Sequence, residues 1–462
     1  MSIGTVCVAL GASALLSATP AYADFQSVLR EYTAGHYERA HTQFLALAEL
    51  GDCSSQFNLG AMALKGQGGP AHSGSAVGWL RAAAANGCQQ LVGNKLVPLE
   101  ARLSADQARI AADIGVRYGR EALQAQGVIN PDLGCRGQQP ASAVETATAE
   151  YPHVAGVQAQ KALVITNLTI GIDGRARDPE VLLALPEAAF AAAAVEAGLN
   201  SRFTPAAHGG TPVESRLEAK LVFAAAGATK IADMPAFRQA RPAADGGDPA
   251  AQYLVGLAAT LDASFGITSP RAAQLLIGAA HDGDPAAQYW VGSQLRATAT
   301  CHPRADGSVW SQQAADAGSA GAQLMLASDL LAATPSAAQA QQARALLQQA
   351  GAANSYYVRK HVAALLAASP IEAVRDPAAA LSAARALLAG EIQSDPQMFE
   401  AVAAAYAANG DFPNAVAQQQ LAIRKAQSLG WNTRAMSGRL SAYRGGKHWY
   451  GDLLALPPAG TP

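Results

Sequence analysis

Charge is scarce in this chain. Of its 462 residues, 15% are Asp, Glu, Lys or Arg, against about 25% in ordinary soluble domains, and the formal net charge is −2. No basic cluster interrupts that near-neutral balance, which argues against nucleic acid as a partner. Catalytic patterns are missing as well. The sequence holds no Gly-x-Ser-x-Gly elbow and no Cys-x-x-Cys or His-x-x-x-His spacing, so nucleophilic and metal-assisted hydrolysis lack their usual signatures. The expectation is a protein that is not an enzyme and needs no cofactor.

Long apolar runs are lacking too. The longest near the amino terminus, residues 6–18, falls short of the ~20 residues a membrane-spanning helix needs. It leads into Ala21-x-Ala23, a small-residue cleavage signature, so residues 1–23 read as a secretory signal peptide, although the first five carry no Lys or Arg. Membrane association is expected only if that segment stays uncleaved. Export to an oxidising compartment bears on the cysteines. With Cys7 removed, Cys53, Cys88, Cys135 and Cys301 remain, which permits two disulfides in three connectivities. Cys53 and Cys88 sit about one helical repeat apart and form the preferred pair. The rival reading is a metal site, since His302 follows Cys301, but the ligand spacing is wrong for it.

What is present divides into Ala-rich helical arms around one mixed unit. Residues 164–172 alternate, with Val164, Leu168, Ile170 and Ile172 on one parity and Asn167, Thr169 and Gly171 on the other. That period predicts a strand with one buried face. Asp173-Gly174 predicts a tight turn, and Pro179 marks the returning strand as an edge or a bulge. A helix starting at Pro186, carrying Phe190 and Val195, is expected to stop near Gly198. The cleanest alternation follows: Val213, Leu217, Ala219, Leu221 and Phe223 against Glu214, Arg216, Glu218 and Lys220, which predicts one core face and one solvated, charged face. Asn167-Leu168-Thr169 fits a glycosylation triplet, but a place inside a strand argues against that use.

These residues resemble the C-terminal domain of TonB-type energy transducers. The resemblance is carried, in order, by Tyr151-Pro152, Ile172-Asp173-Gly174-Arg175, Phe190, Arg202-Phe203-Thr204-Pro205-Ala206, Gly210-Thr211-Pro212-Val213 and Phe223. It implies a small sheet packed on helices in the periplasm, whose last strand can pair with an extended peptide from an outer-membrane receptor. Affinity would then come from backbone hydrogen bonds and specificity from alternate side chains. On that reading the partner-binding candidates are Val213, Glu214, Arg216, Glu218 and Lys220, while Phe203 and Phe223 belong to the core.

The flanks repeat themselves. Gly247-Asp248-Pro249-Ala250-Ala251-Gln252-Tyr253 recurs as Gly283-Asp284-Pro285-Ala286-Ala287-Gln288-Tyr289, more loosely from Gly318, and earlier from Gly51-Asp52 to Gly60. Each period reads as a helical hairpin. The early copy, with Asn58-Leu59-Gly60, Gly66-x-Gly68 and Trp79-x-x-Ala82-Ala83, resembles the Sel1-like repeat, a relative of the tetratricopeptide repeat. Residues 401–424 are similar to a tetratricopeptide hairpin. The expected fold is therefore multidomain: α-helical hairpin repeats of α-solenoid type flanking a small α+β TonB C-terminal-like domain. The expected boundaries are 24–133 and 244–370 for the repeats, 148–226 for the mixed domain and 371–450 for the last helical region. Linkers are expected at 134–142 and 235–249.

Stacked hairpins leave a concave surface that commonly holds another protein's segment, or they brace a neighbouring domain; both remain open. The leading functional expectation is a periplasmic adaptor with protein partners in the cell envelope. Behind it stand an energy transducer with a retained amino-terminal anchor, and an exported hydrolase. His153 and His208 border the mixed domain and are expected to be loop or surface histidines.

Overall fold

A computed structural model describes residues 25–129, 131, 133, 138–152, 161–186, 189–223, 230–298 and 307–454. The signal segment, Cys135, His153, Cys301 and His302 lie outside the described residues. The amino-terminal arm contains α1 (Phe25–Thr33), α2 (Tyr37–Glu49), α3 (Cys53–Lys65), α4 (Ser73–Ala83), α5 (Gln89–Val92), α6 (Leu96–Glu100), α7 (Ala105–Arg117) and α8 (Arg120–Ala125). The mixed unit contains β1 (Gln138–Gln139), β2 (Ser142–Glu145), β3 (Ala162–Ile170), β4 (Ala176–Leu185), α9 (Ala189–Asn200), β5 (Arg202–Thr204), β6 (Ala206–His208), β7 (Thr211–Val213) and β8 (Ser215–Phe223). The second arm follows as α10 (Pro235–Asp245), α11 (Pro249–Leu261), α12 (Ser269–His281), α13 (Pro285–Ala297), α14 (Ser308–Asp316), α15 (Ala320–Leu331), α16 (Ala337–Gly351), α17 (Tyr356–Ala368), α18 (Pro377–Leu388), α19 (Pro396–Ala408), α20 (Phe412–Ser428) and α21 (Arg434–Arg444). From α10 onward each helix packs on the next.

The repeated sequence unit has a repeated physical meaning. Gly51, Gly247, Gly283 and Gly318 all stand at φ between 89° and 92°, a backbone state that penalises any side chain. The following residue caps the next helix: Asp52, Asp248, Asp284 and Ser319 accept from the main-chain N–H three residues on. The glutamine then reaches back eight residues. Gln56, Gln252, Gln288 and Gln323 donate to the carbonyls of Ala48, Ala244, Ala280 and Ala315, which adds a side-chain donor to an acceptor that the turn glycine N–H also reaches and so ties consecutive helices together. Four residues later Gly60, Gly256, Gly292 and Ala327 keep the crossing with the next helix short. A Cβ at Gly60 would come within 2.8 Å of Leu80, and at Gly256 within 2.9 Å of Leu276.

The main sheet runs β4-β3-β8, antiparallel throughout. Its turn forms at Asp173-Gly174, where a Cβ on Gly174 would collide with the Phe203 carbonyl and where Phe203 N–H donates to the Gly174 carbonyl at 3.0 Å. Strand β3 stops at Ile170, and Ile172 is exposed in the turn. The expected single buried face of β3 is corrected by the structure: all nine residues are buried. Ala162, Val164, Leu168 and Ile170 pack towards α9 and the short strands. On the other parity Leu163 and Ile165 enter the core of α10 to α14, and Asn167 and Thr169 line a polar cleft beneath α13 and α17. The sheet is thus covered on both faces, because the second arm lies across it.

The expected linkers are also corrected. Residues 138–145 carry β1 and β2, which pair with β6 and β5. Pro235 opens α10, in which Phe237, Ala240 and Ala244 form a buried stripe at helical spacing; its Gly- and Pro-rich composition hides that period. Helix α9 starts at Ala189 among the described residues and runs past Gly198, which lies against Leu168.

The two arms meet. Leu50, Leu123 and Val128 share one core with Trp310 and with Leu163 of the sheet, and the Trp310 indole donates to the Gly127 carbonyl at 3.0 Å. At the other end Val195 and Leu199 of α9 pack with Leu429, Trp431 and Met436, while Arg175 and Arg202 both donate to the Leu429 carbonyl. The small domain therefore sits in a clasp that closes on it from both directions of the chain.

If the glutamine reach-back holds consecutive helices together, Gln288→Ala should lower stability to urea by about 0.5–1.5 kcal/mol, the net worth of a buried hydrogen bond whose acceptor keeps its main-chain donor. An unchanged unfolding midpoint would show that the brace contributes nothing.

Candidate functional site

The functional candidates converge on β8 and on what faces it. Strand β8 pairs with β3 on one side and has no strand partner on its outer edge among the described residues. Beside its first residues lies a cleft of about 390 Å³, bounded by Glu214, Arg216 and Leu217 on the strand side, by Gln138 and Pro140 before β2, and by Thr298 after α13.

Arg216 and Glu218 of the charged row of β8 are turned away from solvent, contrary to the expectation from its alternation, while Lys220 stays exposed. The Glu218 carboxylate accepts from the Trp290 indole at 2.6 Å and from the Gln294 amide at 2.7 Å, both on α13. Lys220 pairs with Asp262 at 2.9 Å. Arg216 donates to Glu180 at 2.8 Å, to the Thr169 hydroxyl at 3.0 Å and to the Asp178 carbonyl at 3.1 Å. The reason is the second arm: sequence periodicity shows which residues share a face and says nothing of what covers that face. Of the other candidates, Val213 pairs with Ala206 in the β6–β7 hairpin and Glu214 is exposed between β7 and β8. Cys53 and Cys88 are joined in a disulfide with Cα atoms 5.6 Å apart, tying the start of α3 to the end of the α4 hairpin.

A bulge in β4 aims the central carboxylate. Between Thr169↔Arg177 and Asn167↔Glu180 the register shifts, placing Asp178 and Pro179 opposite one residue of β3, with Asp178 at φ 49°. Asp is among the few side chains that tolerate that region, and bulges redirect side chains in this way. The Asp178 carboxylate then meets the second arm. It receives His361 Nε2 at 2.8 Å and Lys360 Nζ at 2.9 Å, and Lys360, fully buried, also holds Asp395 at 2.9 Å. Asp395 in turn caps α19 and accepts from the Tyr356 hydroxyl at 2.9 Å, and Gln397 accepts from the Asp178 N–H at 2.9 Å. Burial alone would raise the Asp178 carboxyl; His361, Lys360 and Arg216 outweigh it and hold the group well below the usual carboxylate range. Burial would likewise discharge Lys360, but Asp178 and Asp395 keep its ammonium above its ordinary value. Glu218 goes the other way: burial pushes it up, with Glu180 adding to the shift.

Asp178, Lys360, His361, Tyr289 and Tyr357 are the residues that sequence reasoning missed. The available signal was weak: an Asp-Pro inside a strand, and tyrosines directly after the repeat glutamine or at the start of a helix. No cluster of three His, Cys, Asp or Glu side chains among the described residues could hold a metal ion. No helix among them is long and apolar enough to cross a membrane. The cleft serines Ser293 and Ser328 donate to main-chain carbonyls of their own helices rather than to His361, so neither is bonded to the Asp178–His361 pair. His208 is exposed on β6.

Lys360→Met, which leaves Asp178 and Asp395 buried without their cation, is expected to cost about 3–5 kcal/mol in urea unfolding. Glu218→Gln keeps an acceptor for Trp290 and Gln294 but removes a charge whose pKa is raised on folding. A raised carboxyl destabilises the fold above its folded pKa and stops doing so below its unfolded one. The variant should therefore be the more stable protein at pH 7–8, with the difference vanishing as the pH falls towards 4, read as unfolding midpoints across a pH series.

Residues 147–224 match the family model described as Gram-negative bacterial TonB protein C-terminal. The matched span takes in β3 to β8 with α9 and leaves out both helical arms. No curated protein matches the chain.

Proposed function

We propose that this is a non-catalytic interaction protein of the periplasmic cell envelope, in which a TonB-like domain offers the outer edge of β8 to an extended segment of another envelope protein. The helical hairpins, read as Sel1-like and tetratricopeptide-like repeats, act chiefly as the frame that holds that edge. The observation that carries this reading is the edge itself: β8 ends the sheet without a strand partner among the described residues, and a cleft opens beside its first turn of chain. Added strands obtain affinity from main-chain hydrogen bonds, which such an edge supplies without any further side chain. The family match of residues 147–224 supports the same use, and protein partners in the outer membrane suit the envelope setting that the family implies.

Arg216, Glu218 and Lys220 contribute to this site through their main chain, since the Arg216 side chain is held by Glu180 of β4 and those of Glu218 and Lys220 by the second arm. Glu214 and Val222 remain accessible at the two ends of the edge. A photo-crosslinking residue placed at Glu214 or Val222 should capture an envelope protein in intact cells, and one placed at the exposed Val116 of α7 should not. Equal labelling from all three, or none from a folded protein, would remove the reading.

A further inference from the structure

A second cleft, of about 370 Å³, lies between the sheet and the second arm. Its size falls in the range of roughly 300–1,000 Å³ typical of small-molecule sites. The floor is Asn167, Thr169 and Glu180 of the sheet, and the walls include Tyr289 of α13 and Tyr357 of α17. We propose that this cleft binds a small, uncharged, polyhydroxylated molecule, that is, a saccharide. The inference is independent of the strand-addition reading.

The charges lining the cleft are already matched within the protein. Asp178 is held by His361, Lys360 and Arg216, Glu180 by Arg216 and the Tyr289 hydroxyl at 2.8 Å, and Arg296 by Asp329. An ionic ligand would have to break one of these pairs to gain another. The uncommitted groups are neutral. Asn167 is 6% exposed, and its Oδ1, buried in the centre of the sheet, has no hydrogen-bond partner. Native interiors seldom leave such an acceptor unpaired without a use for it. The amide of Gln294 gives its Nε2 to Glu218, which leaves its carbonyl oxygen free among the described residues. The Tyr357 hydroxyl, on a ring packed against His361 with centroids 4.5 Å apart, likewise has no partner among the described residues. Two amides and one hydroxyl, without net charge, ask for a ligand whose groups both donate and accept, as hydroxyls do.

The walls fit the other half of such a ligand. The Tyr289 ring is seated where Gly321 of α15 has no side chain: a Cβ there would lie 2.7 Å from the ring. With Leu324 and Met325 beside it, the ring supplies the apolar surface on which the C–H face of a sugar rests while its hydroxyls meet the polar floor. Position matters in the same sense. On this parity of β3 the residues nearer the amino end are Leu163 and Ile165, packed in the core, and the row turns polar at Asn167 and Thr169 where the cleft opens. An apolar residue at 167 would continue the pattern and would bury no unpaired acceptor.

Saturation-transfer NMR on the full chain, with glucose, maltose and N-acetylglucosamine as probes and glutamate and spermidine as charged controls, tests this. A saturable signal is expected from at least one saccharide and from neither control. Asn167→Leu should weaken that saccharide by roughly tenfold or more while leaving the thermal midpoint unchanged or higher, since it removes an unpaired buried acceptor. Tyr357→Phe, which keeps the ring, should weaken binding and leave the fold intact. Absence of any saccharide signal, equal signals from the controls, or a signal that Asn167→Leu leaves unchanged would overturn the proposal and assign the cleft to ordered water.

Discussion

Lys360 is the fixed point of this molecule. An ammonium with no solvent exposure persists only if its charge is matched, and here two carboxylates match it, one on the bulge of β4 and one at the cap of α19. Taking such ions out of water costs several kcal/mol each, which close pairing and added hydrogen bonds offset. The arrangement is therefore intolerant of displacement: moving the arm relative to the sheet would strand a charge, whereas an apolar contact would merely slide. That intolerance suits a junction between an α+β domain and a helical frame, which have no common hydrogen-bond ladder to set their register. The bulge at Asp178 exists in the same context, because a regular strand would aim that side chain elsewhere.

The helical frame obeys a different constraint. Its helices are Ala-rich and gain little from each side chain, so consecutive helices must approach closely and leave few orphaned backbone groups. The glycine at φ near 90°, the capping Asp or Ser, and the glutamine that reaches back eight residues solve these problems in one short motif. Where the copy loosens, at Ser319 and Gln323, the cap and the reach-back persist at 3.4 Å each. Physical roles thus outlast the residue identities that reveal the repeat. A stack built this way lies across the sheet and covers the face of β3 that carries Leu163, Ile165, Asn167 and Thr169.

That covering explains what was legible in the sequence and what was not. Local features could be read: the Asp173-Gly174 turn, the alternation of β8, and the hairpins announced by Gly-Asp. Each depends on residues within a few positions of one another. The second buried face of β3, the withdrawal of Arg216 and Glu218 from solvent and the anchoring of Asp178 depend on partners distant in the chain, 36, 72 and 183 residues away in Arg216–Glu180, Trp290–Glu218 and His361–Asp178, and no periodicity encodes those. Even so, the change from Leu163 and Ile165 to Asn167 and Thr169 along one parity mirrors the change from apolar core to polar cleft above it. Helix α10 went unread for the opposite reason: its prolines and flanking glycines mask a three-residue stripe that only the fold selects.

The clasp also fixes what an added strand could read. Because Arg216 spends its side chain on Glu180, Glu218 on α13 and Lys220 on Asp262, each charge on the arm-facing side of β8 is already paired. The opposite side is occupied by Leu217, Ala219 and Leu221 facing the domain's own core. Selectivity at such an edge must then come from its two ends, Glu214 and Val222, and from the shape of the cleft beside Leu217. A partner would be chosen by register and by the size of its leading side chains more than by charge, and its binding should respond little to ionic strength. Steep salt dependence would imply that the arm had first released the β8 row, since only freed carboxylates and guanidinium groups could supply it.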